Sequence, residues 1–182
     1  MNLKESTLTT TIKTPIGEMV ACSTEKGLCL LEFKERRDLN KQLKSLTSHF
    51  KSEIISGHNS LLLKLQEQLD QYFNKNLKSF NIPMHFVGTD FQKSVWSLLA
   101  DIPFGMTISY MDLTKKLGNP DAIRAVANAN AANKIAIVIP CHRVIGSDGK
   151  LTGYAGSLWR KNYLLKLEDE TKNKQLTIEG IL

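Results

Sequence analysis

A thiol, an imidazole and a guanidinium follow one another at Cys141, His142 and Arg143, directly after the apolar run 135–139 and Pro140. A thiolate is a soft nucleophile suited to displacement at carbon, but a thiol of pKa about 8.5 is only a few per cent ionised at neutral pH. A neighbouring base or positive charge lowers that value, and His142 is the candidate base. Adjacent in the chain, the imidazole is expected to face away from the sulfur and to act through a water. The β-branched run before Pro140 reads as a short buried strand that the proline ends, leaving Cys141 presented at its tip.

The elements that must position this group divide at residues 80–89. Residues 8–34 read as a hairpin or meander of strands, with turns at 14–17 and near Gly27. Residues 38–50 and 60–73 carry apolar side chains at helical spacing: Leu39, Leu43, Leu46 and Phe50, then Leu62, Leu65, Leu69 and Phe73. Residues 80–87 read as extended. Thr89 is a candidate cap for a helix that buries Phe91, Val95, Trp96, Leu98 and Leu99. A helix from Ser109 ends at Gly118, and Asn119-Pro120 opens another over 121–133. Two short helices joined by a tight turn containing Gly make a helix-turn-helix. The fold class is α/β (α+β): a small N-terminal sheet with helices, then a mostly helical half with the helix-turn-helix and the short strand leading to Cys141.

The second of these helices is rich in Ala, and its charged residues are Asp121 and Arg124. A helix reading base edges in the major groove carries several long polar side chains. A slim one suits the narrower minor groove, or close packing on a neighbour.

Hydrophobic content of 42% and charged content of 23% are those of a globular protein. The net charge is +6. Within 110–166, Lys115, Lys116, Arg124, Lys134, Arg143, Lys150, Arg160, Lys161 and Lys166 face only Asp112, Asp121 and Asp148. The reactive thiol thus sits in the most basic segment, which points to a polyanion such as nucleic acid. Three cysteines (Cys22, Cys29 and Cys141) argue against a disulfide framework, and with His49, His58 and His85 they show no zinc spacing. No metal and no cofactor are expected. Met1 to Glu5 lacks the apolar core of a signal peptide and no run is long enough to span a membrane, so a cytoplasmic protein without a membrane partner is expected.

In this order, Ile108-Ser109-Tyr110, Asn119-Pro120, Arg124-Ala125-Val126, Ile139-Pro140-Cys141-His142-Arg143-Val144 and Gly153-Tyr154-Ala155-Gly156 resemble the O6-alkylguanine-DNA alkyltransferases. The likeness is dense from about Thr89 to Glu168, and Thr14-Pro15-Ile16-Gly17 and Gly27-Leu28 extend it more weakly toward the N-terminus. It implies a ribonuclease H-like α/β domain over 1–85, a DNA-binding and alkyl-acceptor domain over 86–172 and a tail over 173–182. It implies single-turnover, irreversible transfer of the alkyl group from O6-alkylguanine, and from O4-alkylthymine, to Cys141. The partner would be double-stranded DNA bound through the minor groove with little sequence preference, the damaged nucleotide flipped out and the protein a monomer.

The resemblance also implies roles. Cys141 is the acceptor, His142 the base, Glu168 the carboxylate that orients it, Tyr110 a donor to the base, and Asn133 the link between the DNA-binding helix and the cysteine. Arg124 is the finger filling the gap left by the flipped nucleotide, with Ser109, Tyr110, Ala125, Ala129 and Arg143 also on the DNA side. Val144, Tyr154, Ala155 and Gly156 form the pocket, and the carbonyls of Cys141 and Val144 accept from the exocyclic amine of guanine. Lys134 stands where many relatives have Pro, and Ala155 where many have Ser, which removes one hydroxyl contact. Two other classes are weighed against this: a damage-sensing or regulatory helix-turn-helix module with Cys141 idle or redox-active, and a thiol hydrolase using Cys141 and His142, which leaves the basic segment and the slim helix unexplained.

Overall fold

A computed structural model describes residues 6–169; the expected tail over 173–182 lies outside them. The N-terminal part is a four-stranded sheet of β1 (Thr7–Thr14), β2 (Gly17–Thr24), β3 (Gly27–Phe33) and β4 (Ile54–Ser56) in the order β3-β2-β1-β4. β1, β2 and β3 form an antiparallel meander and β4 joins β1 in parallel. Gly27 takes φ +147°, and a Cβ there would meet the Pro83 carbonyl at 2.5 Å, so this turn admits only glycine. The helix α1 (Leu39–Phe50) packs Leu39 and Leu46 with Cys22, Leu30 and Val87. The helix α2 (Ser60–Phe73) puts Leu62, Leu65, Leu69 and Tyr72 into the main core with Ala21, Leu31 and Phe33. Residues 80–87 run extended, joined to β3 through His85 N and the Pro83 carbonyl, without forming a regular strand.

The C-terminal part begins with α3 (Asp90–Ala100), opened by a full capping box between Thr89 and Gln92. It buries Val95, Trp96 and Leu99, whereas Phe91, expected inside, is exposed. A two-residue strand β5 (Ile108–Ser109) leads into α4 (Tyr110–Lys116), capped by Ser109. Gly118 turns the chain at φ +80°. The expected 121–133 helix is in fact a 3-10 turn at Pro120–Ala122 followed by α5 (Ile123–Ala131), since the chain turns off at Ala132. The helix α6 (Leu158–Glu168) closes the described chain.

The strand expected before Cys141 is not there. Ile135 bridges to Leu31 and the β3 edge is paired by Leu31 N on the Lys134 carbonyl and Ala136 N on the Leu31 carbonyl, both at 2.8 Å. The chain then doubles back: Val138 N donates to the Ala136 carbonyl at 2.9 Å around Ile137, whose φ is 71°. That is a γ-turn, and a β-branched residue in it carries strain. The apolar run is buried because it packs between sheet and helices, not because it is a strand. The strand comes after the cysteine instead, as β6 (Val144–Ile145) paired in parallel with β5. Among the described residues no helix is long and apolar enough to cross a membrane.

Candidate active site

Cys141, His142 and Arg143 form one 3-10 turn, all buried. The turn aims the three side chains in different directions. Cys141 Sγ accepts from Asn133 Nδ2 at 3.2 Å, and the same amide donates to the Ile139 carbonyl at 3.0 Å. Asn133 Oδ1 accepts from Ile135 N at 2.9 Å, so this one carboxamide holds the folded-back segment and the sulfur together. Burial pushes the Cys141 thiol up to about 11, opposed by the Asn133 hydrogen bond; Glu32 pushes it further up, and Lys161 and Arg36 pull it down. The resting sulfur is therefore a thiol.

His142 is completely buried, with Nε2 2.8 Å from Glu168 Oε1. Burial lowers its pKa, against the pull of Glu168. Burial alone would raise the Glu168 carboxyl, but hydrogen bonds from His142 and Arg143 and the guanidinium charge hold it well below the ordinary carboxylate range. An ionised carboxylate only accepts, so Nε2 carries the hydrogen and the second nitrogen, Nδ1, is left with a lone pair. That Nδ1 is buried without a partner. Cys141 and His142 share no direct hydrogen bond.

Glu168 is more heavily tied than a two-residue pairing suggests. Oε1 also accepts from Tyr72 Oη at 2.6 Å and from Arg143 Nη2 at 2.9 Å, while Oε2 accepts from Arg143 Nε at 2.8 Å and Gly105 N at 3.2 Å. The remaining Arg143 nitrogen, Nη1, donates to the Ile102 carbonyl. This corrects the expectation that Arg143 lies on the DNA side: its guanidinium is spent on a buried carboxylate.

The space beside Cys141 is a cavity of about 10 Å³ bordered by Glu32, Arg36, Asn130, Asn133 and the loop residues Gly153, Tyr154, Ala155 and Gly156. That is room for about one water. Outside it, Gly153 and Tyr154 also border an open groove of about 430 Å³ shared with Tyr110, Arg124, Ala127, Asn128 and Thr152. The loop is thus the wall between the groove and the sulfur. Lys161, whose side chain is buried, anchors it, donating to the carbonyls of Thr152 at 2.6 Å, Gly153 at 3.3 Å and Val144 at 2.6 Å. Burial pulls the Lys161 ammonium down to about 8. Tyr110 Oη accepts from Asn130 Nδ2 at 3.2 Å, and burial raises its pKa.

Two family models divide the chain: residues 7–86 match the ribonuclease-like domain of 6-O-methylguanine DNA methyltransferase and residues 90–170 its DNA binding domain. A methylated-DNA–protein-cysteine methyltransferase of Methanosarcina barkeri is 44% identical over 158 residues, 87% of this chain and 94% of that protein. The chain belongs to the 6-O-methylguanine-DNA methyltransferase family.

Solved structures of this family superpose on it. The Mycobacterium tuberculosis O6-methylguanine methyltransferase shares 37% identity with a TM-score of 0.78, over 90% of this chain and 93% of that one. The M. tuberculosis OGT in complex with DNA shares 36% identity with a TM-score of 0.77, over 91% and 93%. In this family member, Arg124, Ala125 and Asn128 are the exposed face of α5, next to the groove. Ala129, expected on the DNA side, is instead buried against α3, its carbonyl accepting from Trp96 Nε1 at 2.8 Å. Ser109 is committed to its helix, accepting from Asp112 N at 3.0 Å and donating to the Asp112 carboxylate at 2.6 Å.

The Val144 and Cys141 carbonyls each already accept one hydrogen bond, from Lys161 and from Val144 N; a carbonyl oxygen has a second lone pair. Tyr72, Lys161, Asn130, Glu32 and Arg36 are neighbours of the site that sequence reasoning missed. The helical spacing over 60–73 falls on Phe73 and passes over Tyr72, and no spacing marks a lysine or a glutamate as buried.

Proposed function

We propose that this protein repairs duplex DNA by irreversible transfer of the alkyl group of O6-alkylguanine, and of O4-alkylthymine, to Cys141. One observation carries the reading: the buried Cys141 thiol is held by Asn133 beside a neutral His142 whose protonated nitrogen is fixed on Glu168. The thiol proton passes to His142 Nδ1 by way of a water, and Asn133 and Lys161 stabilise the thiolate left behind. The sulfur attacks the alkyl carbon, the S–C bond forms, and the C–O bond breaks with its electron pair on the base oxygen. Tyr110 donates to the base as this charge develops, and the His142 proton replaces the one it gives. A thioether has no leaving group for His142 to activate, so each molecule acts once.

A base stacked in a duplex cannot reach a sulfur behind the Gly153 to Gly156 loop, so the nucleotide is flipped through the groove as the loop yields. Flipping costs a few kcal/mol of stacking and pairing. Arg124, exposed at the start of α5, fills the gap, and the slim Ala125 face suits the minor groove.

The test is to mix the protein with a duplex bearing one O6-methylguanine and read intact and peptide masses. One methyl on the Cys141 peptide, saturating at one per molecule, is expected. Tight lesion binding without methyl transfer would replace this reading with a sensing module.

A further inference from the structure

Glu32 and Arg36 belong to the N-terminal half and have no part in the transfer chemistry, yet both border the cavity at Cys141. Glu32, near the end of β3, is 1% exposed; Oε1 accepts from Phe33 N at 2.9 Å and Oε2 pairs with Arg36 Nη1. Arg36 Nε and Nη2 donate to the Asp38 carboxylate at 2.6 and 3.4 Å, and both terminal nitrogens also reach the other half of the molecule. Nη2 donates to the carbonyl of Ala131, the last residue of α5, at 3.1 Å, and Nη1 to the Asn133 carbonyl at 3.3 Å. A cation on the last carbonyls of a helix satisfies groups that the helix itself cannot and complements its dipole. Two hydrogen bonds thus connect the Arg36 guanidinium to the sulfur, through the backbone of Asn133 and its side-chain amide.

We propose that Arg36, locked in place by Glu32, is a positioning residue that couples the N-terminal sheet to Cys141 by clamping the end of α5 and the backbone of Asn133. The assignment rests on the alkyl-transfer reading and adds to it a task for the N-terminal half. The clamp keeps the Asn133 amide on the sulfur, and it joins the exposed DNA-side face of α5 to the reacting atom. It also sets the charge around the thiol. The charged and titratable groups facing Cys141 are Glu32 and Arg36 from the N-terminal half, Lys161 from α6, Tyr110 from α4, Tyr154 from the loop, and His142 beside it. Glu32 disfavours the thiolate, while Arg36 and Lys161 favour it. Removing Arg36 loses a cation and loosens Asn133, and both effects disfavour the thiolate. Removing the Glu32 charge leaves the cation, still tied to Asp38, and favours it.

The experiment is the pH dependence of iodoacetamide alkylation at the Cys141 peptide, in the full chain, for the wild type, Arg36→Met, Arg36→Lys and Glu32→Gln. Arg36→Met is expected to raise the midpoint by about one pH unit, which is about a tenfold loss of thiolate at neutral pH. Arg36→Lys recovers part of the shift, because an ammonium restores the charge but not the fork. Glu32→Gln lowers the midpoint. A general loosening of the fold would move Arg36→Met and Glu32→Gln in the same direction, and that result, or an unmoved or lowered midpoint in a folded Arg36→Met, overturns the proposal. If Arg36→Met does not fold, Arg36→Lys and Glu32→Gln decide, and unmoved midpoints in both overturn it. The readout uses no DNA. A wild type that alkylates as expected but accepts no methyl from DNA would therefore sink the transfer reading separately.

Discussion

Tyr72 Oη and Glu168 Oε1 lie 2.6 Å apart although 96 residues separate them in the chain. This hydrogen bond makes an aromatic residue of α2, in the N-terminal half, a partner of the carboxylate that fixes His142. With Arg143 and Gly105 on the other oxygen, Glu168 has its acceptor sites filled inside the protein.

Tyr72→Phe removes one donor and leaves the ring in place. Its expected cost is about 1 kcal/mol of stability, with methyl transfer slowed only a few-fold, because His142 and Arg143 still hold the carboxylate. Urea unfolding and a single-turnover assay check this. A stability unchanged within error would mean that the hydroxyl contributes nothing to the clamp.

Glu168 also sets an acid limit. Its folded carboxyl sits well below the ordinary range of about 4.3. The unfolded chain therefore takes up the proton first, and the stabilisation, complete above that range, is lost as pH falls below it. Glu168→Gln leaves Arg143 buried without its counter-charge and is expected to cost about 3–5 kcal/mol at neutral pH. The gap between wild type and Glu168→Gln should narrow as the pH is lowered from 7 to 3. Melting curves that stay parallel over that range would show that the carboxylate charge is not what stabilises the site.

The contiguous part of this site was legible in the sequence, because Cys141 and His142 are neighbours and Asn133 lies only eight residues away. What the sequence hid is long-range. Arg143 stands in a basic segment and reads as a phosphate ligand, but Glu168, 25 residues on, takes it inward. Residues 135–139 have the composition of a strand, and only packing between β3 and the helices imposes the γ-turn at Ile137. Ala129 reads as part of a slim DNA face because helical periodicity alone does not say that Trp96 covers that side. The capped helices were legible for the opposite reason: Thr89 and Ser109 act within their own first turn.

Asn133→Asp keeps the shape of the side chain but replaces the donor on Cys141 Sγ by a carboxylate oxygen. The thiol, already pushed up to about 11 by burial, loses the hydrogen bond that favours its ionised form. The substitution should slow methyl transfer at neutral pH and move the midpoint of iodoacetamide alkylation upward, while duplex binding measured by anisotropy stays within about twofold. An unmoved midpoint would remove Asn133 from the activation of the sulfur.

Arg124 separates flipping from chemistry. It is exposed at the start of α5 and lines the open groove, not the cavity beside Cys141. If it stabilises a flipped nucleotide by filling the gap in the duplex, Arg124→Ala loses part of a compensation worth a few kcal/mol. A loss of about 1.4 kcal/mol is tenfold in rate. Repair of O6-methylguanine within a duplex should therefore fall about tenfold or more, whereas reaction with free O6-benzylguanine, which needs no flipping, should stay within about twofold of wild type. Equal loss of both activities would place Arg124 in the pocket chemistry and leave the gap in the duplex to another side chain.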